Sequence, residues 1–380
     1  MIGCDGGKEN VSMGRYPKVE YTEQVMREGF QIEDAAISVD DKLRLLDALG
    51  ETGLKSMEIG SFVSPRYAPQ MACMDELMLK FKPKPGVKYV ALAMNEQGYE
   101  RMRKYSPPLT IEAEEPSLRS HVCDIFPRRN VNKSQEQLIA RWPAIVAKAK
   151  ASGAKEVSIG IGSAWGSNWL GPFALQEQMR ILEQAHQMWD DAGFKVTKIR
   201  LFDPMSWDTP DRVEETLLAV KERWPDINHF HLHLHNGRGM ALTDIFVALR
   251  CLRPTDTLLL EGALGGIGGC PYCGNGRAAG MAPTEDLMHM LQSMGIDMGV
   301  DLDKLIECVW LLESILGRAA SGQLSKVGPR PMSKDKFYPM DLPFIETFEQ
   351  AKHFKLGPKA YAGCIQPWKE PILSPRRSEG

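Results

Sequence analysis

The chain of 380 residues lacks an uninterrupted apolar run of the roughly 20 residues that a membrane-spanning helix needs. It also lacks a large charge of either sign, because 46 Lys and Arg stand against 49 Asp and Glu, a formal net charge of −3. This balance gives no support for binding to nucleic acid or to an anionic membrane surface. The first 20 residues contain no apolar segment typical of a signal peptide, so we expect a cytoplasmic protein.

The composition excludes several further classes of protein. Hydrophobic residues make up 43% of the chain and charged residues 25%, close to a globular average, which excludes a disordered or collagen-like chain. The eight cysteines are scattered over a long chain, so a disulfide miniprotein is excluded and reduced thiols are expected. The length allows one large domain or two smaller ones.

Short apolar segments alternate with segments of helical periodicity along most of the chain. Regular alternation of this kind predicts parallel strands joined by helices, including one long helix over residues 134–152. Eight repeats favour a (β/α)₈ TIM barrel in the α/β class, and an open sheet is the alternative. The predicted strands are 25–30, 55–59, 87–93, 109–113, 156–161, 196–202, 229–235 and 257–262.

The same pattern divides the chain into three parts. We expect an N-terminal leader over residues 1–20, a catalytic barrel over 21–317 and a C-terminal extension over 318–380. The extension is rich in Pro, Gly and basic residues and contains an amphipathic stretch at 344–354. We expect it to pack on the barrel as a lid or to join the subunits of a homo-oligomer such as a dimer.

The predicted strand 229–235 carries four of the eight histidines, alternating with Phe and Leu. A period of two places all four on one face, which we expect to point into the barrel. Working residues of such barrels lie at the C-terminal ends of strands, which favours His233 and His235. Two imidazoles there can share one metal ion, and a hydrogen-bonded polar layer is the alternative.

Arg27 and Glu28 lie at the end of the first predicted strand. A carboxylate beside a guanidinium offers a hard metal ligand next to a clamp for an anion or a carbonyl oxygen. Such pairs are common on protein surfaces, so this one gains weight only together with the other motifs.

Glycines crowd the segment 262–276 after the last predicted strand, which indicates a backbone that turns tightly or approaches a ligand. Cys270 in such a loop is a candidate acid, base or nucleophile. Cys270-Pro-Tyr-Cys273 is also the dithiol motif of glutaredoxins, but there it opens a helix near the start of a small domain. Gly274-x-Gly276-x-x-Ala279 fits a loose dinucleotide fingerprint and lacks the strand that should precede it.

Taken together, these segments resemble the hydroxymethylglutaryl-CoA lyase family, part of a wider group of metal-dependent (β/α)₈ lyases and Claisen-type synthases. The resemblance runs over roughly residues 27–317 and keeps the order of the family's motifs. The matching segments are 27–31 (REGFQ), 58–65 (EIGSFVSP), 69–71 (PQM), 124–130 (DIFPRRN), 203–210 (DPMSWDTP), 233–235 (HLH), 266–272 (GIGGCPY) and 284–287 (TEDL).

The resemblance implies a carbon–carbon lyase that breaks the C2–C3 bond of a 3-hydroxy acyl-CoA and yields an acyl-CoA and a ketone or keto acid. It implies a divalent cation, Mg²⁺ or Mn²⁺ first and Zn²⁺ or Co²⁺ as alternatives, that polarises the substrate's oxygens. Arg27 would stabilise the enolate oxygen, and Cys270 would protonate the enolate carbon. The implied metal ligands are Glu28, His233, His235 and Asn275; the implied catalytic residues are Arg27, Cys270, Asp203 and Glu58; the implied substrate-binding residues are Gln31, Ser61 and Arg27.

The sequence departs from the family's pattern at the expected site. Glu28 replaces the family's Asp, and the family's ligand Asn before the TEDL segment is replaced by Gly280-Met281, with Asn275 nearby. The residues after the histidine pair, 236–239, are NGRG instead of DTYG. We therefore expect an acyl-CoA substrate other than hydroxymethylglutaryl-CoA, with a larger or differently branched acyl group.

Two other functions compete with the lyase. One is a Claisen condensation enzyme resembling citramalate or isopropylmalate synthases, against which the GGCPY segment counts. The other is a non-catalytic homologue that has lost its metal, suggested by Glu28 and by the missing Asn.

Overall fold

One sheet of eight parallel strands organises the part of the chain that the computed structural model describes, residues 15–111, 115–273 and 280–337. The strands lie in the order β3-β2-β1-β8-β7-β6-β5-β4, so every strand except β3 pairs with its successor and β8 returns to β1. This order is that of the predicted (β/α)₈ barrel, which is thereby confirmed. The strands are β1 Lys18–Glu23, β2 Ser56–Ser61, β3 Lys88–Leu92, β4 Ser117–His121, β5 Val157–Gly162, β6 Val196–Asp203, β7 His229–Leu234 and β8 Thr257–Gly262.

The helices surround the sheet and bury their apolar faces against it. In the long helix α7, for example, Ile181, Ala185 and Trp189 recur at helical spacing and are fully buried. The helices are α1 Val39–Gly50, α2 Met74–Lys80, α3 Glu96–Arg103, α4 Ile125–Asn130, α5 Gln135–Ile139, α6 Trp142–Ser152, α7 Leu175–Asp191, α8 Pro210–Arg223, α9 Ala241–Cys251, α10 Thr284–Ser293, α11 Leu302–Leu316 and α12 Leu324–Val327.

Two strand predictions are wrong in position. The first strand is Lys18–Glu23 instead of 25–30, and Val25–Gly29 forms a π-helical turn directly after it. The fourth strand is Ser117–His121 instead of 109–113, and Leu109 makes an isolated bridge to β3. Both strands are largely polar, so neither presents the apolar run on which the prediction depended.

The predicted helix 134–152 is two helices. Gln135–Ile139 ends at Ala140, and Trp142–Ser152 begins two residues later. Pro143 lies in the first turn of the second helix, where its missing N–H is tolerated. In the middle of one continuous helix the same proline would remove a backbone hydrogen bond, which explains the break.

Strand β7 has the predicted orientation. Phe230 is fully buried, and Lys221 of helix α8 lies over its ring at 5.2 Å, so the apolar side faces the helices. His231 and His233 point to the opposite side, where both contact Glu261 of β8. The histidines therefore line the inside of the barrel, and His233 lies near its C-terminal mouth.

The residues after α11 pack closely on the barrel. The Ser321 N–H donates to the carbonyl of Gly265 at 2.9 Å, and the carboxylate of Asp286 accepts from the backbone N–H of Leu324 at 2.7 Å. The predicted amphipathic stretch at 344–354 lies outside the described residues. Within the described ranges, none of the helices combines the length and the apolar character that crossing a membrane requires.

Candidate metal and lyase site

The turn after β1 carries Arg27 and Glu28 at the C-terminal mouth of the barrel. Gly268 of the glycine-rich loop lies directly against this turn with a φ of +105°, and a Cβ there would lie 3.0 Å from the Glu28 carbonyl oxygen. A side chain at Gly268 would therefore separate the loop from the turn. The glycine-rich segment after β8 therefore contacts the turn that carries Arg27 and Glu28.

Three of the predicted metal ligands meet at this mouth. The Nε2 atoms of His233 and His235 are 3.3 Å apart, and His235 Nε2 lies 3.6 Å from Glu28 Oε1. Ligand atoms of the three residues all lie within 4.8 Å of one another, and the His235 side chain is buried. Two imidazole nitrogens and a carboxylate oxygen suit a divalent cation. The fourth predicted ligand, Asn275, lies outside the described residues.

Glu261 of β8 orients the histidines from inside the barrel. Its Oε2 contacts His233 Nδ1 and lies 3.2 Å from His231 Nε2, and its Oε1 accepts a 3.0 Å bond from Gln24 Nε2. The bond at Nδ1 places the proton of His233 there and leaves Nε2 free as a ligand. Burial alone would raise the pKa of Glu261, but His231 and His233 outweigh it and hold that pKa well below its usual value.

The electrostatics of His235 also favour a neutral ligand. Burial, followed by the nearby charges of His233 and Arg27, lowers the pKa of His235 well below its usual value. Its Nδ1 is buried and has no hydrogen-bond partner within the described residues. A neutral imidazole is the form that binds metal, and here the nitrogen that faces His233 and Glu28 is Nε2.

Arg27 links the ligand Glu28 to Glu58. Its guanidinium contacts the Glu28 carboxylate, and its Nε donates to Glu58 Oε2 on β2 at 3.1 Å. Glu58 therefore reaches the site through Arg27. Ser61 is buried at the end of the same strand, and Gln31 lies in the 3₁₀ turn Phe30–Ile32. The substrate-binding roles of Ser61 and Gln31 remain predictions.

Cys270 is brought to the same mouth by the glycine-rich loop. The side chain is buried, and the charges of His233 and Arg27 both act on it. A hydrogen bond from Cys273, then the Tyr272 backbone and these two charges, lower the pKa of the Cys270 thiol against the opposing effect of burial. Such surroundings favour proton exchange at sulfur.

Asp203 lies at the end of β6, where it holds the following turn. Its carboxylate accepts backbone N–H bonds from Met205 at 3.1 Å, Trp207 at 2.5 Å and Asp208 at 2.6 Å. Burial raises the pKa of Asp203 despite these bonds. These hydrogen bonds hold the turn after β6 at the mouth of the barrel. The acid–base role of Asp203 remains a prediction.

The sequence prediction missed two further carboxylates beside Asp203. Asp208 lies close to both Asp203 and Asp244, and all three side chains are buried. Burial and the neighbouring carboxylates raise the pKa of Asp208, and burial above all raises the pKa of Asp244 to about 7. Asp244 lies on the buried face of α9, where an acidic residue in an otherwise apolar helix face was the available signal.

Comparison with known proteins gives a consistent result. The family model described as HMGL-like matches residues 18–311. The mitochondrial hydroxymethylglutaryl-CoA lyase of Gallus gallus is 30% identical over 316 residues, which cover 82% of this chain and 98% of the relative. The cytoplasmic 3-hydroxy-3-methylglutaryl-CoA lyase of Mus musculus is 30% identical over 304 residues, 80% of this chain and 83% of the relative.

Solved structures lead to the same group. An HMG-CoA lyase from Acinetobacter baumannii in complex with coenzyme A and 3-methylmalate has a TM-score of 0.66 at 26% identity, covering 85% of this chain and 98% of its own. The hydroxymethylglutaryl-CoA lyase from Pseudomonas aeruginosa has a TM-score of 0.64 at 26% identity, covering 82% and 97%. The chain belongs to the HMGL-like family. The predicted resemblance is thus confirmed, and with it an enzyme of the carbon–carbon lyase type.

The role of Glu261 can be tested by Glu261→Gln. Loss of the carboxylate removes the group that fixes the His233 tautomer, so we expect the affinity for Mn²⁺ to fall by about 10–100-fold. Isothermal titration of the purified protein with Mn²⁺ measures this directly. His229→Gln is the matched control, because His229 lies at the other end of β7. An unchanged affinity in Glu261→Gln would show that the carboxylate does not orient the ligands.

The buried carboxylates predict a pH-dependent stability. The folded-state pKa of Asp244, about 7, lies above the unfolded value, so its stability contribution is complete below about pH 4 and is lost as pH rises toward 7. Asp244→Asn should therefore stabilise the fold more at pH 8 than at pH 5, by about 1–3 kcal/mol. Urea unfolding at both pH values measures the difference. Asp191→Asn on the exposed end of α7 is the control, and an equal effect of Asp244→Asn at both pH values would contradict the prediction.

Proposed function

We propose that this protein is a divalent-metal-dependent lyase that cleaves a 3-hydroxy-3-substituted acyl-CoA. The products would be an acyl-CoA such as acetyl-CoA and a ketone or keto acid. The observation that carries the proposal is the convergence of Glu28, His233 and His235 with Arg27 and Cys270 at one mouth of the barrel. Membership of the HMGL-like family supports the same chemistry.

The donor set fits a divalent cation, since His235 keeps a buried, neutral imidazole and His233 has its free nitrogen turned toward it. Mg²⁺ or Mn²⁺ are the favoured ions, with Zn²⁺ or Co²⁺ as alternatives. When bound, the cation would supply Lewis-acid polarisation of the substrate's hydroxyl and of an adjacent carbonyl or carboxylate oxygen.

Arg27 is placed to meet the negative charge that the reaction develops. As the C2–C3 bond breaks, its electron pair moves toward the thioester and forms an enolate. The 3-hydroxyl gives its proton to a carboxylate base, the role proposed for Asp203, and becomes the carbonyl of the second product. The bond from Arg27 Nε to Glu58 and the contact of Nη1 with Glu28 restrain the guanidinium, so Nη2 can face the enolate oxygen. A donor held in place before the reaction stabilises that oxygen without further reorganisation.

Cys270 completes the reaction by donating the S–H proton to C2 of the enolate. The new C–H bond gives the acyl-CoA product, and the thiolate regains a proton for the next turnover. Cys270 is buried within the glycine-rich loop, so we expect this loop to keep water away from the enolate. The acid–base role of Asp203 is proposed from the family's pattern at the end of β6.

Two departures from the family's pattern concern the acyl group of the substrate. Glu28 is one methylene longer than the family's Asp, and Arg238 stands where the family has Tyr, so we propose an acyl-CoA other than hydroxymethylglutaryl-CoA. Coenzyme A is bound in the solved lyase from Acinetobacter baumannii, which supports an acyl-CoA substrate here. A homodimer and a cytoplasmic location remain predictions, as do the domain boundaries at residues 20 and 317.

The proposed function is tested by incubating the purified protein with Mg²⁺ or Mn²⁺ and a panel of 3-hydroxy-3-substituted acyl-CoA thioesters. We expect release of acetyl-CoA or another short acyl-CoA, detected by liquid chromatography, and complete loss of cleavage with EDTA. Condensation of acetyl-CoA with an oxo acid, without cleavage, would favour the synthase alternative. Absence of a bound or titratable divalent ion would overturn both.

Cys270→Ala tests the proton donor. We expect kcat to fall by about 10²–10⁴-fold, the range typical for loss of a general acid. Cys251→Ala is the matched control, because Cys251 lies at the end of α9, where its thiol contacts Glu214. Full activity of Cys270→Ala would remove Cys270 from the mechanism and leave the lyase activity to be explained without it.

A further inference from the structure

Loops from three neighbouring strands hold the end of the Cys-Pro-Tyr-Cys segment. After β4, Arg129 Nε donates to the Tyr272 carbonyl at 3.3 Å. After β5, Asn168 Nδ2 donates to the Cys273 carbonyl at 2.8 Å. After β6, the Pro204 carbonyl lies 3.0 Å from the Cys273 thiol. The backbone three residues beyond Cys270 is therefore attached to the fixed rim of the barrel.

The side-chain amide of Asn168 has only one orientation that satisfies its neighbours. Its Oδ1 accepts a 2.9 Å bond from the indole Nε1 of Trp207. An indole nitrogen can only donate, so the oxygen must face Trp207 and the NH₂ group must face Cys273. The bond to the Cys273 carbonyl thus depends on the position of Trp207.

Two neighbouring residues hold the ring of Trp207 in place. Gly166 packs against one face so closely that a Cβ at that position would lie 2.7 Å from the ring. The Arg238 guanidinium lies over the indole with its Cζ 5.4 Å from the ring centroid. Arg238 is fixed in turn by the carbonyls of Met205 at 2.6 Å and Ser206 at 3.0 Å.

The loop that carries Asn168 is rigid without help from the Asn168 side chain. The buried Ser167 hydroxyl accepts from the backbone N–H groups of Trp169 at 3.3 Å and Leu170 at 2.9 Å, which closes a tight turn. Asn168 is exposed, whereas Ser167 beside it is fully buried. A substitution of the Asn168 side chain should therefore leave the fold intact.

We propose that Asn168 is a positioning residue that fixes the loop so that the Cys270 thiol faces the metal ligands. This inference rests on the proposed function, in which Cys270 donates a proton to the substrate. Residues 271 and 272 alone separate Cys270 from the carbonyl that Asn168 holds, so release of that carbonyl lets the thiol move. Proton transfer to carbon needs the donor within hydrogen-bond reach, and a displacement of about 1 Å is enough to slow it.

Asn168→Asp is the decisive variant, because it keeps the oxygen that Trp207 needs and replaces the NH₂ donor by an oxygen that repels the Cys273 carbonyl. We expect kcat for acyl-CoA cleavage to fall by about tenfold with KM changed less than twofold. We also expect faster hydrogen–deuterium exchange in the peptide over residues 264–273. Alkylation of Cys270 by iodoacetamide, located by mass spectrometry, should accelerate by about tenfold.

Trp207→Phe tests the same chain of contacts from its other end. Phenylalanine keeps an aromatic ring at this position but removes the indole N–H, so the Asn168 oxygen keeps only the long 3.5 Å bond from Arg238 Nη2 and the amide is held less firmly. We expect the same direction of change in exchange, alkylation and kcat, of about threefold. Asn228→Asp, an exposed change of the same kind at the opposite end of β7, is the control and should leave all three unchanged.

The outcomes separate this inference from the proposed function. Wild-type protein that cleaves no acyl-CoA would overturn the function, whereas exchange and alkylation report on the loop with or without substrate. Unchanged exchange and alkylation in Asn168→Asp would overturn the anchoring role. Faster exchange with an unchanged kcat would overturn the positioning role, because Cys270 would then donate its proton at the normal rate from a loop that is no longer held.

Discussion

The site depends on one carboxylate placed inside the barrel. Glu261 contacts His233 at Nδ1 and lies within ion-pair distance of His231, and it is itself held by Gln24, the residue that follows the first strand. It determines which nitrogen of His233 carries a proton and therefore which one is free for a metal. Because β8 lies between β7 and β1, this single residue connects the strand that supplies the histidines with the strand whose following turn supplies Arg27 and Glu28.

A second constraint is the close approach of backbones at the mouth. The glycine-rich loop rests on the turn of Glu28 at Gly268, and the segment around Ser321 holds the base of the same loop at Gly265. The loop is thus anchored between the first strand and the chain that follows α11. The described residues around Ser321 and Leu324 therefore help to support the barrel.

The sequence predicted the fold and the meeting of Glu28, His233 and His235 because both leave periodic or local patterns. The His-Leu alternation of β7 predicted that His233 and His235 lie on the same face of the strand. Arg27 and Glu28 could be recognised because they are neighbours in the sequence. Strands β1 and β4 were misplaced because their polar residues hide the apolar pattern that marks a buried strand. Glu261 was overlooked as a single carboxylate in the apolar run of β8, although its place at the strand's C-terminal end was a usable signal. The bond between Asn168 and Cys273 joins residues 105 positions apart and no short-range pattern predicts it.

The contacts between three loops at the mouth of the barrel restrict how the sequence of this enzyme can diverge. Loops of a (β/α)₈ barrel are usually regarded as independent modules on a common scaffold. Here Gly166 accommodates Trp207, Trp207 orients Asn168, and Arg238 from a third loop covers the indole. Exchanging the loop after β5 or the loop after β6 alone would leave the indole N–H or the Arg238 guanidinium without its partner. Exchanging the loop after β7 alone would remove the donor of the Met205 and Ser206 carbonyls. Inherited changes at this rim should therefore occur as sets, and grafting a new substrate preference onto the barrel would require moving three loops together.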